Sequence, residues 1–274
     1  MESTRPVQLT LATVKLSLEP TPSGPILEFT DYGTDITWVS GRIFAMLSGT
    51  DESPCSHIAL QNSSWEILND NLNLEGAVGD IKVRLFYHLS DDPLRLEERI
   101  SISNPGNKPI VFDRFRIGPT WSPPATWWQY WGYWRLMKID EDFDPESDPG
   151  RLPGEKLSTV RDMLRRVEKS RGRIPVPVEF ESEAKGWIFT DERRYLLVLK
   201  ESSEIDEVCN LDVLENKPAP SFIMGGISNV VKGLDWARQL NPGMRWESGT
   251  TIYAPGTGGW SEAIGTYKQL ARLA

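Results

Sequence analysis

The sequence predicts an all-β protein, with antiparallel strands arranged as a two-sheet sandwich. Three observations carry that expectation. In residues 80–118, apolar side chains recur near every second position: Ile81, Val83, Leu85 and Tyr87, then Leu94, Leu96, Ile100 and Ile102, then Ile110, Phe112 and Phe115. A period of two is that of a strand with one buried face. Two turn-forming stretches, Ser90-Asp91-Asp92-Pro93 and Asn104-Pro105-Gly106-Asn107, separate the three segments and make them a meander. Finally, short alternating segments recur along most of the chain with almost no helical periodicity between them, which favours a sandwich over a βαβ fold.

Taken in order, Val7, Leu9 and Leu11, then Val14, Leu16 and Leu18, predict one long strand with a shift of phase near Ala12. Short strands are expected at 26–29, 36–39, 58–60, 65–68 and 72–74. In the meander the outward positions Lys82, Arg84, Arg95, Glu97, Asp113 and Arg116 are charged, so one face should meet water or a polar groove. The alternation slips at 97–99 and again at Arg114, which predicts bulges there. Residues 119–156 break the pattern and read as a loop insertion, packing Trp121, Trp127, Trp128, Tyr130, Trp131, Tyr133 and Trp134 ahead of an acidic, proline-containing tail. Leu157, Val160, Leu164 and Val167 predict a helix over 157–169. Strands resume at 176–180, 186–190, 195–199 and 208–214, and again from 222 to 254. Ser261 is placed to cap a last helix, 261–274, whose apolar face holds Ala263, Ile264, Tyr267, Leu270 and Ala271. A single domain over 1–274 is expected, since sandwiches of this length commonly form one unit.

A formal net charge of −9 argues against nucleic acid, whose phosphates require a basic face. No apolar stretch is long enough for a membrane helix, and the opening residues alternate rather than forming a signal-like apolar run. The expected setting is cytoplasmic, with Cys55 and Cys209 as reduced thiols. His57 and His88 are the chain's two histidines, and no zinc, nucleophile or phosphate-loop motif occurs, so neither a metal nor a cofactor is expected. Gly225-Gly226 and Gly256-x-Gly258-Gly259 read as turns. His88 has the chemistry of a general acid or base, although a histidine bonded to a sheet neighbour is the plainer reading.

Eleven Trp are many for an acidic chain, so either the core is rich in Trp or some line a groove. Sugars pack flat C–H faces on aromatic rings while their hydroxyls bond polar side chains. Trp127, Trp128, Trp131 and Trp134, with Arg135 and Asp140, are therefore the candidate substrate-binding residues. The alternative is that these rings fill the sandwich or pin the insertion to it. The acidic group from Asp140 to Asp148 reads as a solvated loop, and no catalytic residue is assigned.

Two stretches resemble a known family. The segment LFYHLSDDPLRLEERISISNPGNKPIVFDRFRIG, through Asn104, Gly106 and Pro109, is similar to the N-terminal domain of melibiase-type α-galactosidases and raffinose-synthase relatives. The segment QLNPGMRWESGTTIYAPGTGGWSEAIGTYKQL, through Leu240, Pro242, Gly243, Gly259 and Tyr267, resembles the exit of that domain. The resemblance implies a β-supersandwich of the galactose mutarotase-like kind. In the family this domain precedes a (β/α)8 barrel that supplies two catalytic aspartates, and this sequence stops where that barrel would begin. Mutarotase relatives use two histidines and a glutamate, one histidine in an N-H-x-Y-F-N context that is missing here.

The expectation is a non-catalytic domain that binds or positions carbohydrate for an α-glycosidase, with a separate (β/α)8-barrel subunit as a possible partner. The alternatives are a stand-alone sugar-active enzyme, an α-galactosidase-like hydrolase or aldose epimerase, on the same fold, and a structural protein-interaction module.

Overall fold

A computed structural model describes residues 5–33, 36–48, 56–111, 114–119, 135–139, 155–156, 185–201, 212–215, 221–223, 225–228 and 239–272. The first half supplies β1 (Val7–Leu11), β2 (Val14–Glu19), β3 (Ile26–Asp31), β4 (Ile36–Ser48), β5 (Ser56–Ala59), β6 (Gln61–Leu68), β7 (Asn71–Val78), β8 (Ile81–Asp91), β9 (Leu94–Ser103), β10 (Ile110–Val111) and β11 (Arg114–Pro119). The second half adds β12 (Arg135–Ile139), β13 (Glu155–Lys156), β14 (Gly186–Thr190), β15 (Arg194–Glu201), β16 (Asp212–Glu215), β17 (Ser221–Ile223), β18 (Ile227–Ser228), β19 (Gln239–Leu240), β20 (Arg245–Glu247) and β21 (Thr250–Thr257), and then the helix α1 (Trp260–Leu270).

Among the described residues all the pairings are antiparallel, in two large sheets and the two-stranded pairs β10-β19 and β16-β17. One runs β1-β2-β3-β4-β11-β18 with β5 also on β4; the other runs β13-β12-β14-β15-β21-β9-β8-β7-β6 with β20 also on β9. Their facing sides make the main core, where Leu16, Leu27, Phe29, Val83, Leu85, Leu96, Ile117 and Val198 are at most 1% exposed. Removing such a side chain to Ala costs about 2–5 kcal/mol. A second apolar layer lies behind the larger sheet: Ala263, Ile264 and Leu270 of α1 pack on Ile188, Leu197, Leu199, Ile252 and Ala254. Strand β15 is thus covered on both faces, which is why its run is continuously apolar.

Local chemistry explains the departures from expectation. The strand expected over Val7 to Leu18 is a tight hairpin, because Ala12 turns into left-handed backbone (φ 49°) and folds β2 onto β1. Asn69 and Asp70 do the same between β6 and β7, with φ of 50° and 61°, the pair of positive values that a mirror-image hairpin turn requires. No bulge interrupts the β8–β9 pairing at 97–99, whereas on the other edge of β9 the register shifts by one residue between Glu247↔Ser101 and Thr251↔Glu98. Strands β8 and β9 pair without a break from Asp91↔Leu94 to Lys82↔Ser103, and the alternation slips because Glu98 occupies a core position. The β11–β4 register is likewise unbroken from Arg114 to Pro119. Arg116, expected to face outward, is 2% exposed, since β11 is enclosed on both sides.

Within the stretch expected to be a loop insertion, β12 is a strand that joins the larger sheet through β14. The last helix is capped two residues earlier than expected: Gly259 N donates to the Glu262 carboxylate at 2.8 Å, and Ser261 already lies inside α1. Ala271 follows the helix and is exposed. The helix expected at 157–169 lies outside the described residues.

The two family-like stretches meet in space. Asn104 is 1% exposed and its Nδ2 donates to Lys108 O and Leu240 O, both at 2.8 Å, while its Oδ1 accepts from Gly106 N at 2.9 Å. Its backbone carbonyl accepts from Gly243 N. One amide side chain therefore fixes the first turn and ties it to the second.

Candidate functional site

The outward face of the larger sheet has two halves. Helix α1 covers β14, β15 and β21, whereas β6 to β9 and β20 leave an open groove of about 680 Å³. Its floor follows from register, since residues directly opposite on antiparallel strands share a face. One row is Glu66–Asn73–Phe86–Arg99; the next is Ser64–Glu75–Arg84–Ser101–Glu247. Phe86 is 36% exposed at the centre, an aromatic ring on a face otherwise built from polar side chains.

Ion pairs organise the floor. Glu75 receives Lys82 at 2.9 Å and Arg84 at 2.5 Å, and the hydrogen bond from Lys82, reinforced by Arg84, holds its carboxyl below the ordinary range. Arg245 pairs with Glu247. Arg99 Nε donates to Thr250 Oγ1 at 2.9 Å. Further along the same face, His88 Nδ1 lies 2.9 Å from Asn71 Oδ1.

The opposite face of the same strands carries a sealed polar row. Tyr87, Glu98, Thr251 and Lys200 stand directly opposite one another on β8, β9, β21 and β15, and none is more than 9% exposed. The backbone at Gly225-Gly226 closes over them. Gly226 N donates to Glu98 Oε1 at 2.8 Å, Lys200 Nζ donates to Gly226 O at 2.6 Å, and Arg116 Nη2 donates to Gly225 O at 3.0 Å.

Both glycines are required. A Cβ on Gly225 would stand 2.3 Å from Tyr253 Oη and 2.6 Å from Glu98 Oε1, and Gly226 holds φ +84° with its would-be Cβ 2.1 Å from Ile117 O. What the sequence presents as a turn is the clamp between the edge of one sheet and the centre of the other.

Burial pushes the Glu98 carboxyl upward, opposed chiefly by the Lys200 ammonium. Burial, and then the Glu98 charge, pushes the Tyr87 phenol well above its ordinary value. The Tyr87 hydroxyl faces Glu98 closely enough for the carboxylate to act on the phenol, but neither it nor Glu98 Oε2 closes a hydrogen bond of ordinary geometry among the described residues.

Of the six residues predicted to bind a ligand, Trp127, Trp128, Trp131, Trp134 and Asp140 lie outside the described residues. Arg135 begins β12 opposite Thr190. The tryptophans whose side chains are described pack inward: Trp65 and Trp187 are at most 8% exposed, Trp246 stacks on Phe115 at 5.7 Å, and Trp260 packs with the α1 cluster. Among the described residues no group of three His, Cys, Asp or Glu is placed to hold a metal, and no helix is long and apolar enough to cross a membrane. The groove lies on the meander face expected to meet water or a polar groove; the residue that sequence reasoning missed is Phe86, an apolar side chain at an outward position of a clean alternation.

No family model and no curated protein matches the chain. Solved structures do. The galactose mutarotase related enzyme from Lactobacillus acidophilus is similar over 91% of this chain and 97% of its own, with 11% identity and a TM-score of 0.54. A galactose mutarotase-like protein from Lactobacillus casei is similar over 92% of this chain and 100% of its own, with 10% identity and a TM-score of 0.51. A Synechocystis protein has the same TM-score of 0.51 at 14% identity, covering 93% of this chain and 97% of its own. These likenesses run the length of both partners, and the fold of this chain is accordingly the galactose mutarotase-like antiparallel β-sandwich.

Proposed function

We propose that this chain is a carbohydrate-binding domain that holds a saccharide over Phe86 and does not cut it. The observation that carries this reading is the half-exposed Phe86 ring at the centre of the groove, flanked in register by Asn73 and Arg99. A pyranose stacked on that ring would place hydroxyls against an amide and a guanidinium, the pairing of apolar floor and polar rim that saccharide sites use. The fold likeness to a galactose mutarotase related enzyme supports the same ligand class.

Neither Glu75 nor Glu98 suits hydrolysis. Glycosidases need one carboxyl kept protonated as a general acid. Glu75 is held in its ionised form by Lys82 and Arg84, and Glu98 is enclosed in the core. In this reading the domain presents its ligand to a separate glycosidase of the barrel class implied by the family resemblance. Trp127, Trp128, Trp131 and Trp134, with Arg135 and Asp140, form a second aromatic platform in the same proposal.

Calorimetric titration with galacto- and gluco-oligosaccharides tests it. Binding to the intact chain is expected, weakened about tenfold or more in Phe86→Ala, the size of one lost aromatic contact. Turnover of aryl glycosides by the purified chain, or binding indifferent to Phe86→Ala, would overturn it.

A further inference from the structure

The cations around the groove are not equivalent. Lys82 and Arg84 both close on Glu75, and Arg245 on Glu247. Arg99 differs. Its Nε is committed to Thr250 Oγ1 at 2.9 Å, which fixes the plane of the guanidinium, and among the described residues no carboxylate lies within ion-pair distance of it. Glu201, opposite Thr250, feels the Arg99 charge without pairing with it.

We infer that the groove selects an acidic saccharide, one bearing a hexuronate carboxylate, and that Arg99 is the residue that binds this group. The inference rests on the reading of the groove as a saccharide site. The central row is polarised along its length: Glu66 at one end, then Asn73, the Phe86 ring and the Arg99 guanidinium. A uronate carboxylate projects from the edge of the sugar ring. With that ring on Phe86, the carboxylate would lie toward a cross-strand neighbour whose Cβ is only about 5 Å away.

Arg99 has its two terminal nitrogens to offer as a fork, the geometry that matches a carboxylate through two parallel N–H···O bonds. At the other end, Glu66 would repel the same group and Asn73 would take hydroxyls, so the ligand is oriented as well as bound. A neutral hexose gains the stacking and offers the guanidinium only hydroxyls, without the charge or the two parallel acceptors of a carboxylate. The groove lining sets Arg84, Arg99 and Arg245 against Glu66, Glu75 and Glu247, a local balance that contrasts with the chain's net charge of −9.

The experiment compares a galacturonate trisaccharide with the galactose trisaccharide of the same linkage, by calorimetry on the full chain at low and high salt. The acidic ligand is expected to bind about tenfold or more tightly at low salt, with the advantage shrinking as salt screens the charge. Arg99→Gln should remove the preference, weakening the acidic ligand far more than the neutral one, Arg99→Lys should retain part of it, and Phe86→Ala should weaken both ligands. Equal affinity for the two ligands, or a preference that survives Arg99→Gln, overturns the inference while leaving the saccharide reading intact. Binding of neither ligand overturns both.

Discussion

Phe86 and Tyr87 are neighbours on one strand, and so are Glu98 and Arg99 on the next, yet they belong to opposite worlds. Phe86 and Arg99 lie on the floor of an open groove, whereas Tyr87 and Glu98 are sealed between two sheets. A strand sends successive side chains to opposite faces, so a single step in sequence separates water from core. Outward, a charge costs almost nothing and adds little. Inward, it must be compensated, and removing one partner is far more damaging than never having had the pair. The groove can therefore vary its charges without risk to the fold, but the sealed row cannot.

The largest effect should come from emptying the sealed row. Glu98→Ala removes the acceptor of Gly226 N–H and the countercharge of Lys200, and should cost about 3–5 kcal/mol in urea unfolding. Glu98→Gln, which keeps the shape and one acceptor, should cost less. The pH dependence follows from the direction of the Glu98 shift. A carboxyl whose folded value lies above its unfolded one binds its proton more tightly when folded. Its contribution is fully present below the ordinary value of 4.5 and is lost as pH rises through the folded value. Relative to Glu98→Gln, the natural chain should lose stability across that window. A difference that is flat with pH would mean Glu98 titrates as if exposed.

Next comes the clamp itself. Gly226→Ala forces a side chain into left-handed backbone and against Ile117 O, and should cost about 2–3 kcal/mol. An unchanged unfolding midpoint would show that the Gly225-Gly226 backbone is not held where the hydrogen bonds from Lys200 and Arg116 put it.

How much of this was legible in the sequence differs between the two faces. The meander and its outward Lys82, Arg84, Arg95 and Glu97 follow from the alternation alone, because that face obeys the rule that charges go to water. Glu98 was visible too, at the inward position of LRLEERISIS, but the same rule recast it as a bulge. Arg116 was placed outward because Arg114-Phe115-Arg116-Ile117 alternates, but β11 is enclosed on both faces, so its alternation does not separate water from core. The glycine pair looked like an ordinary turn because its meaning depends on Glu98, 128 residues away. The groove needed three strand registers at once to bring Glu66, Asn73, Phe86 and Arg99 into one row, and no local pattern encodes that.

A smaller and opposite-signed effect is expected at Tyr87. Among the described residues its buried hydroxyl has no hydrogen-bond partner of ordinary geometry, and a group left so costs about 1–3 kcal/mol of desolvation. Tyr87→Phe keeps the ring and removes the hydroxyl, so it should raise stability by about 1 kcal/mol. Loss of stability instead would mean that the hydroxyl is engaged with Glu98 Oε2, and the sealed row would then be a closed network.

The smallest effect belongs to the groove. Glu75 is about 40% exposed, so its pairs with Lys82 and Arg84 are screened, and Glu75→Gln should cost no more than about 0.5–1 kcal/mol. Its pH signature should nevertheless run against that of Glu98. The hydrogen bond from Lys82 lowers the folded value, so the contribution is present above the ordinary value of 4.5 and is lost as pH falls through the folded one. Thermal melts of Glu75→Gln and Glu98→Gln against the natural chain should therefore diverge in opposite directions on acidification, with the Glu75 difference fading in high salt and the Glu98 difference persisting. If the two differences moved together, the separation of the strands' faces into a solvated and a sealed side would fail at these carboxylates.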